Sequence, residues 1–408
     1  MTTTIAPELC FATKVCLFIQ QKKIIMDKEF DRPIDRKGTA SQKWEKYGDS
    51  DILPMWVADT DFMSPPCVLD ALKERIDHGI FGYTVVPSEL NQLVIHRMQT
   101  LYQWDVDADA IIWLPGLVCG LNLACRAVGK SGDTVISPKP IYPPFMSSPR
   151  LSDREVCTVP LKQVDQRFII DLNALENSIT DHTRLLLFCN PHNPGGAVYK
   201  REELEALAAL ILKHDLYVCS DEIHCDLILE PGLKHTPLAS LGEEIALRTI
   251  TLMAPSKTYN IAGLGCSFAI IKDKKLRQQF MNVRKGIVPD VNLLGYTATM
   301  AAYKDGDEWN KKQLDYLRSN RDYLQQEINL IPGLKLLPIE ATYLAWIDIS
   351  GAKLTNPAHF FEQAGVGMSP GRDFGDGNYM RLNFGCPRST LEEAVHRIKT
   401  ALLNELPA

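Results

Sequence analysis

Between residues 110 and 255 the chain switches repeatedly from short, unbroken apolar runs to longer stretches with apolar residues three and four apart. Ile111–Leu114, Thr134–Ser137, Val156–Leu161, Leu185–Cys189, Leu216–Ser220 and Thr249–Met253 read as strands. Continuous runs such as Leu185–Cys189 suit strands covered on both faces. Between them, Gly116–Val128 reads as a helix. So does Glu202–His214, where Leu204, Leu207, Ala208 and Ile211 fall at i, i+3, i+4 and i+7. Strand–helix–strand alternation predicts an α/β unit with a mainly parallel sheet. After residue 305 the pattern changes. Glu308–Ile331 reads as one long helix stopped by Pro332-Gly333, followed by strands at Tyr343–Ile349 and Tyr379–Phe384. A terminal helix is expected from Ser389, with Glu392 completing a capping box. The expected division is a large domain over 76–305 and a smaller α+β domain over 306–408, joined by residues 26–75. Residues 1–25 are set aside as an N-terminal extension.

Composition narrows the class. A length of 408 residues at about 150 per domain fits two or three units. At 45% hydrophobic and 23% charged, the chain is globular rather than fibrous or disordered. Its net charge of −6 and lack of a basic run argue against a nucleic-acid partner. No apolar stretch reaches the roughly 18 residues of a membrane span, and Leu9–Ile19, broken by Lys14, makes a poor signal peptide. The odd count of 11 cysteines, several inside apolar runs, fits a reducing cytoplasm better than a disulfide framework. Cys219, His224, Cys225 and Asp226 come closest to a metal cluster, but on a strand and its following turn they need not converge, and no metal is expected.

In open parallel sheets, ligands bind beyond the carboxyl ends of the strands. Here Leu185–Cys189 runs into Asn190-Pro-His-Asn193-Pro194, Leu216–Ser220 into Asp221-Glu-Ile-His224, and Thr249–Met253 into Ala254-Pro-Ser256-Lys257-Thr258. Each alone is ordinary loop chemistry. Together they place an amide, a carboxylate and a lysine on one edge, which is the set pyridoxal 5′-phosphate requires. Lys257 is the candidate Schiff-base lysine, and Asp221 the acid that keeps the ring nitrogen protonated. Asn193 and His224 are candidate donors to the phenolate oxygen. The phosphate belongs at a helix N-terminus, where Leu117 and Val118 supply backbone N–H groups and Ser256 a hydroxyl. Tyr142, just past the Thr134–Ser137 strand, is a candidate aromatic lid.

These residues resemble the fold-type-I, aspartate-aminotransferase-like pyridoxal-phosphate enzymes. More narrowly, Met55-Trp-Val-Ala-Asp59-Thr-Asp-Phe62, Gly82-Tyr83-Thr84, Ser220-Asp-Glu-Ile-His224-Cys-Asp226 and Tyr379-Met-Arg381-Leu-Asn383 look like the MalY/PatB cystathionine β-lyase branch. The resemblance covers about residues 28–404. It implies an α/β pyridoxal-phosphate-dependent transferase-like fold, Tyr142 stacked on the ring, and Arg381 on the substrate carboxylate. It also implies Asp59 and Thr60 near substrate, and a homodimer in which Tyr83 reaches the neighbouring subunit's phosphate. The sequence departs from the pattern at several places. Gly265 stands where many superfamily members carry a phosphate-binding arginine. Thr60 replaces the branch's usual Met, Cys119 a frequent Pro, and Gly195-Gly196-Ala197 stands where a bulkier residue and an Arg are common.

The implied reaction is α,β-elimination from L-cystathionine or a related cysteine S-conjugate, giving pyruvate, ammonia and a thiol. Lys257 serves as general base in that reading. Its alternatives are a class I/II aminotransferase, which shares the carbanion but not the leaving group, and a carbon–sulfur lyase for larger conjugates. A non-catalytic regulator on the same scaffold is a third, disfavoured by the presence of lysine, aspartate and arginine together.

Overall fold

The computed structural model describes residues 29–405; the N-terminal extension read from the sequence lies outside the described residues. The larger sheet contains β2 (Ile111–Leu114), β3 (Thr134–Lys139), β4 (Glu155–Val164), β5 (Arg167–Ile170), β6 (Thr183–Cys189), β7 (Tyr217–Asp221), β8 (Thr249–Met253) and β9 (Ser267–Ile270). Their order is β2-β9-β8-β7-β6-β3-β4-β5. The centre, from β8 through β7, β6 and β3 to β4, is parallel, whereas β2, β9 and β5 pair antiparallel at the edges.

Side-chain alternation along β6 explains why this sheet needs two covers. Leu185, Leu187 and Cys189 join Cys219, Ile250 and Leu252 beneath the helix Leu117–Ala127. Leu186 and Phe188 join Ile136 and Val218 against Leu204, Leu207 and Ile211 of the helix Arg201–Lys213. The apolar run in the sequence is therefore the record of a strand with no solvent face.

A second sheet orders β10 (Lys335–Leu336), β11 (Leu344–Asp348), β14 (Tyr379–Asn383) and β13 (Ser369–Pro370), all antiparallel. From the N-terminal segment, β1 (Leu53–Pro54) pairs in parallel with β12 (Val366–Gly367). The long helix spans Asp307–Ile328, shorter at its end than the pattern predicts. Its buried face also carries polar groups the apolar spacing did not mark. Asn320 Nδ2 donates to the carbonyls of Phe384 and Cys386 at 3.1 and 2.9 Å, and Gln313 Nε2 donates to Thr258 O at 2.8 Å. The terminal helix starts at Arg388, so Ser389 lies inside its first turn and is not the capping residue.

The N-terminal segment is fixed by charge. Lys43 is fully buried, and its ammonium donates to Asp61 Oδ2 at 2.7 Å; Trp44 Nε1 and Arg36 Nη1 donate to Asp61 Oδ1 at 3.0 and 2.8 Å. Burial pushes the Asp61 carboxyl up, but Lys43, Trp44 and Arg36 outweigh it and hold it below its ordinary value. Asp61→Asn would leave the Lys43 charge enclosed with only Asp59, 3.8 Å away. The expected loss is about 3 kcal/mol, the low end for a broken buried pair, read from the urea midpoint. Because the folded pKa is depressed, wild-type stability from Asp61 is present above about pH 4 and lost as pH falls further. Asp61→Asn should show less of that acid loss, and an unchanged midpoint would remove the pair from the account.

Candidate functional site

Parallel pairing of β3, β6, β7 and β8 brings their carboxyl ends to one edge of the sheet, and the turn before the helix Leu117–Ala127 opens onto it. The smaller sheet closes that edge, with β14 contributing Arg381 and the segment after β1 contributing Trp56, Val57 and Ala58. Between them lies a cavity of about 430 Å³. Lys257, Asp221, Asn193, His224, Tyr142, Leu117, Val118, Ser256 and Arg381 all line it.

Asp221 is the last residue of β7 and is buried, and its Oδ1 accepts from the Ile223 N–H at 3.1 Å. Burial, with Glu222 beside it, pushes its carboxyl up to about 7, although Ile223 and Lys257 pull the other way. Lys257 sits on the loop after β8, and its Nζ donates to Ala58 O at 2.7 Å. Burial pulls its ammonium down to about 8; Asp59 and Asp221 oppose the shift and Arg381 adds to it. Burial also draws His224 down to about 3, helped by Lys257 and Arg381, so the ring is neutral and its Nδ1 has no partner. The Tyr142 phenol is pushed up by burial.

Arg381 is the unusual member. Its Nη1 donates to Asn193 Oδ1 at 2.9 Å, and its Nη2 donates to Trp56 O at 2.9 Å and faces Ser369 Oγ at 3.5 Å. The guanidinium lies 4.6 Å from the Phe374 ring centroid. It is 4% exposed, pairs with no carboxylate among the described residues, and leaves Nε without a partner. Burial draws its pKa down to about 10, against the opposing influence of Tyr142 and Tyr343. A buried cation with unused donors is costly unless an anion joins it.

This donor set fits pyridoxal phosphate. An acid at the end of β7, an amine on the next loop, an orphaned histidine nitrogen and a free helix N-terminus face one cavity. Asn193 uses its oxygen on Arg381, which leaves its amide nitrogen as the available donor. Gly265 accounts for the missing superfamily arginine. Its φ is +58°, and a Cβ there would stand 3.1 Å from Pro115 O, at the turn preceding the helix Leu117–Ala127.

Three expected residues lie elsewhere. The Asp59 carboxylate is held by Arg36 through two hydrogen bonds, of 3.1 and 3.0 Å, and does not line the cavity. Thr60 is fully buried with its N–H donating to Asn260 Oδ1 at 3.2 Å, packed against Gly385 and away from the cavity. Past β1 the chain bends at Val57 and Ala58, so that residues 56–58 line the cavity while Asp59 meets Arg36. Tyr83 is fully exposed and does not reach the cavity of its own chain. Of Cys219, His224, Cys225 and Asp226, Cys219 packs in the sheet core, His224 lines the cavity, and Asp226 pairs with Arg97 at 3.1 Å. Sequence reasoning missed Ala58, whose contribution is a carbonyl, and Ser369, Asp373 and Phe374, which sit on the two-residue strand β13 and the helical turn after it, too short to leave a periodic signal.

In the cofactor-free protein, Asp221 holds its proton more tightly folded than unfolded. Its contribution is therefore greatest at low pH and is lost as pH rises from about 4 toward about 7. The melting temperature of Asp221→Asn should gain on wild type across that window and match it below; parallel profiles would contradict the buried-acid assignment.

The family profile described as aminotransferase class I and II matches residues 50–398. The chain is 39% identical to cystathionine beta-lyase PatB of Bacillus subtilis, over 91% of this chain and 99% of that protein. A crystal structure of OvoB superposes with a TM-score of 0.91 at 49% identity, covering 92% of this chain and 100% of the other. Cystalysin from Treponema denticola, in a structure that contains a pyridoxal 5′-phosphate cofactor, gives 0.88 at 35% identity, with 92% and 98% covered.

Proposed function

This chain belongs to the class I and II aminotransferase family, and on that premise we propose that it is a pyridoxal-phosphate-dependent carbon–sulfur β-lyase. Its substrates are L-cystathionine or related cysteine S-conjugates, and its products are pyruvate, ammonia and a thiol. The observation that carries the reading is the meeting of Lys257, Asp221, Asn193 and Arg381 on one cavity. Similarity to PatB favours elimination over amino transfer.

When bound, pyridoxal phosphate supplies a cationic ring that takes up the electron pair left on the substrate's α-carbon. Asp221, as a buried carboxylate, would pair with the protonated ring nitrogen. The N–H groups of Leu117 and Val118, with Ser256, would hold the phosphate. The Asn193 amide and His224 would serve the phenolate oxygen, and Tyr142 would cover the ring. Arg381 fixes the substrate carboxylate with its planar fork, which is what its enclosed, anion-free state is suited to. Lys257, with its pKa drawn to about 8, has a substantial neutral fraction near that pH and removes the α-proton.

Ile80, Phe81, Tyr83 and Val85 expose apolar surface along one segment, with Tyr83 fully bare. A second copy covering that segment places Tyr83 at the partner's site and makes the protein a homodimer. Nine free cysteines among the described residues, five of them buried, fit a cytoplasmic enzyme.

Incubation with cystathionine should release pyruvate, ammonia and homocysteine. Lys257→Ala should lower that release by about 10²–10⁴-fold or more, the share a positioned base supplies. Amino transfer dependent on a 2-oxo acid, without pyruvate, would make the enzyme an aminotransferase instead. Light scattering should return twice the 45.8 kDa chain mass; a fully active monomer would end the shared-site reading.

A further inference from the structure

Four charged side chains line the cavity among the described residues: Lys257, Asp221, Arg381 and Asp373. The first three have assigned work. Asp373 has none. It lies on the helical turn Gly371–Phe374, between β13 and β14, next to the Phe374 ring that packs on Arg381. Its side chain is 55% exposed, which puts it at the mouth and leaves the floor to Asp221 and Lys257. Its carboxylate accepts no hydrogen bond among the described residues. The nearest cation is Arg372 Nε at 3.9 Å, on a side chain itself 70% exposed, a pair of little worth in water.

The rest of the mouth does not neutralise it. Gln42 and Trp56 also line the cavity, and neither carries a charge. Lys46 lies 4.9 Å from the Trp56 ring, but its Nζ is committed to the Tyr47 hydroxyl at 2.8 Å and faces Glu362 at 3.5 Å. An amino acid anchored through its carboxylate at Arg381, with its α-carbon presented to Lys257, can send its sulfur substituent only toward this opening. The unpaired charge lining that opening is negative.

We propose that Asp373 selects the sulfur substituent, favouring cysteine S-conjugates whose thiol portion carries a cationic group. The inference rests on the lyase reading for the orientation of the substrate. It narrows the substrate class from thioethers in general to those ending in an ammonium or similar cation. L-Cystathionine ends in an ammonium beside a carboxylate, so its distal end is zwitterionic and meets this condition only through the ammonium, with its carboxylate directed away from Asp373. Anionic conjugates are rejected, because their charge approaches a carboxylate.

The test compares S-aminoethyl-, S-propyl- and S-carboxymethyl-L-cysteine, which carry cationic, neutral and anionic ends. Affinity is measured by calorimetry on Lys257→Ala protein loaded with pyridoxal phosphate, and turnover on the unaltered enzyme. The cationic conjugate should bind about fivefold more tightly than the neutral one, as suits a partly exposed charge pair, with the anionic one weakest. The ratio should contract toward one in Lys257→Ala/Asp373→Asn and in high salt, a response that a purely structural role would not give. A ratio that survives Asp373→Asn, or equal affinity for the cationic and neutral conjugates, overturns the proposal. If the order holds but the unaltered enzyme releases pyruvate from none of the three, charge selection stands and the lyase reading falls.

Discussion

An enclosed guanidinium that meets no carboxylate among the described residues is the constraint on which the rest of this structure turns. Desolvating such a cation costs several kcal/mol by itself, and neutral acceptors recover only part of it. At Arg381 the acceptors are the Asn193 oxygen and the Trp56 carbonyl, with the Phe374 ring alongside. They come from three separated parts of the chain: the loop after β6, the segment after β1, and the turn before β14. Holding this one charge therefore requires the large sheet, the small sheet and the N-terminal segment to be assembled together. The same assembly closes the cavity.

Burial then tunes every neighbour in the same direction, toward neutrality. The Lys257 ammonium falls to about 8, the Asp221 carboxyl rises to about 7 and His224 drops to about 3. These shifts have one origin, the low polarizability of an enclosed space, but opposite chemical results because acids and bases respond oppositely to it. A lysine that is neutral at moderate pH and a buried carboxylate that binds a proton strongly enough to share one with a ring nitrogen are the two properties asked of proton abstraction beside an electron-poor ring. The fold obtains both without a dedicated charge for each.

Residues 56–61 show how narrowly function and structure divide. Trp56, Val57 and Ala58 face the cavity, and the Ala58 carbonyl accepts from both Lys257 Nζ at 2.7 Å and the Tyr343 hydroxyl at 3.1 Å. One and three residues later, Asp59 and Asp61 are bound to Arg36 and Lys43. That ion cluster anchors the segment, so the carbonyl that meets Lys257 is fixed by charges pointing the other way. Asp59 still acts on Lys257 through its field, and so its influence is electrostatic rather than a contact with substrate.

The sequence by itself determined the alternating layers and the three loops that carry Asn193, Asp221 and Lys257. Short unbroken apolar runs, alternating with helical stretches, suit doubly covered strands, and parallel strands end on a common edge. Helix limits were less legible at Ile328–Ile331 and Ser389, because apolar spacing does not record the polar contacts of Gln313 and Asn320 or the backbone that ends a helix. Only the tertiary structure decided that Asp59 and Thr60 turn from the cavity, that Ala58 enters it through a carbonyl, and that Asp373 stands at its mouth. Those choices depend on which side of a short segment meets a distant sheet. A residue's type says what it can bind, but its direction is settled by packing against partners hundreds of positions away.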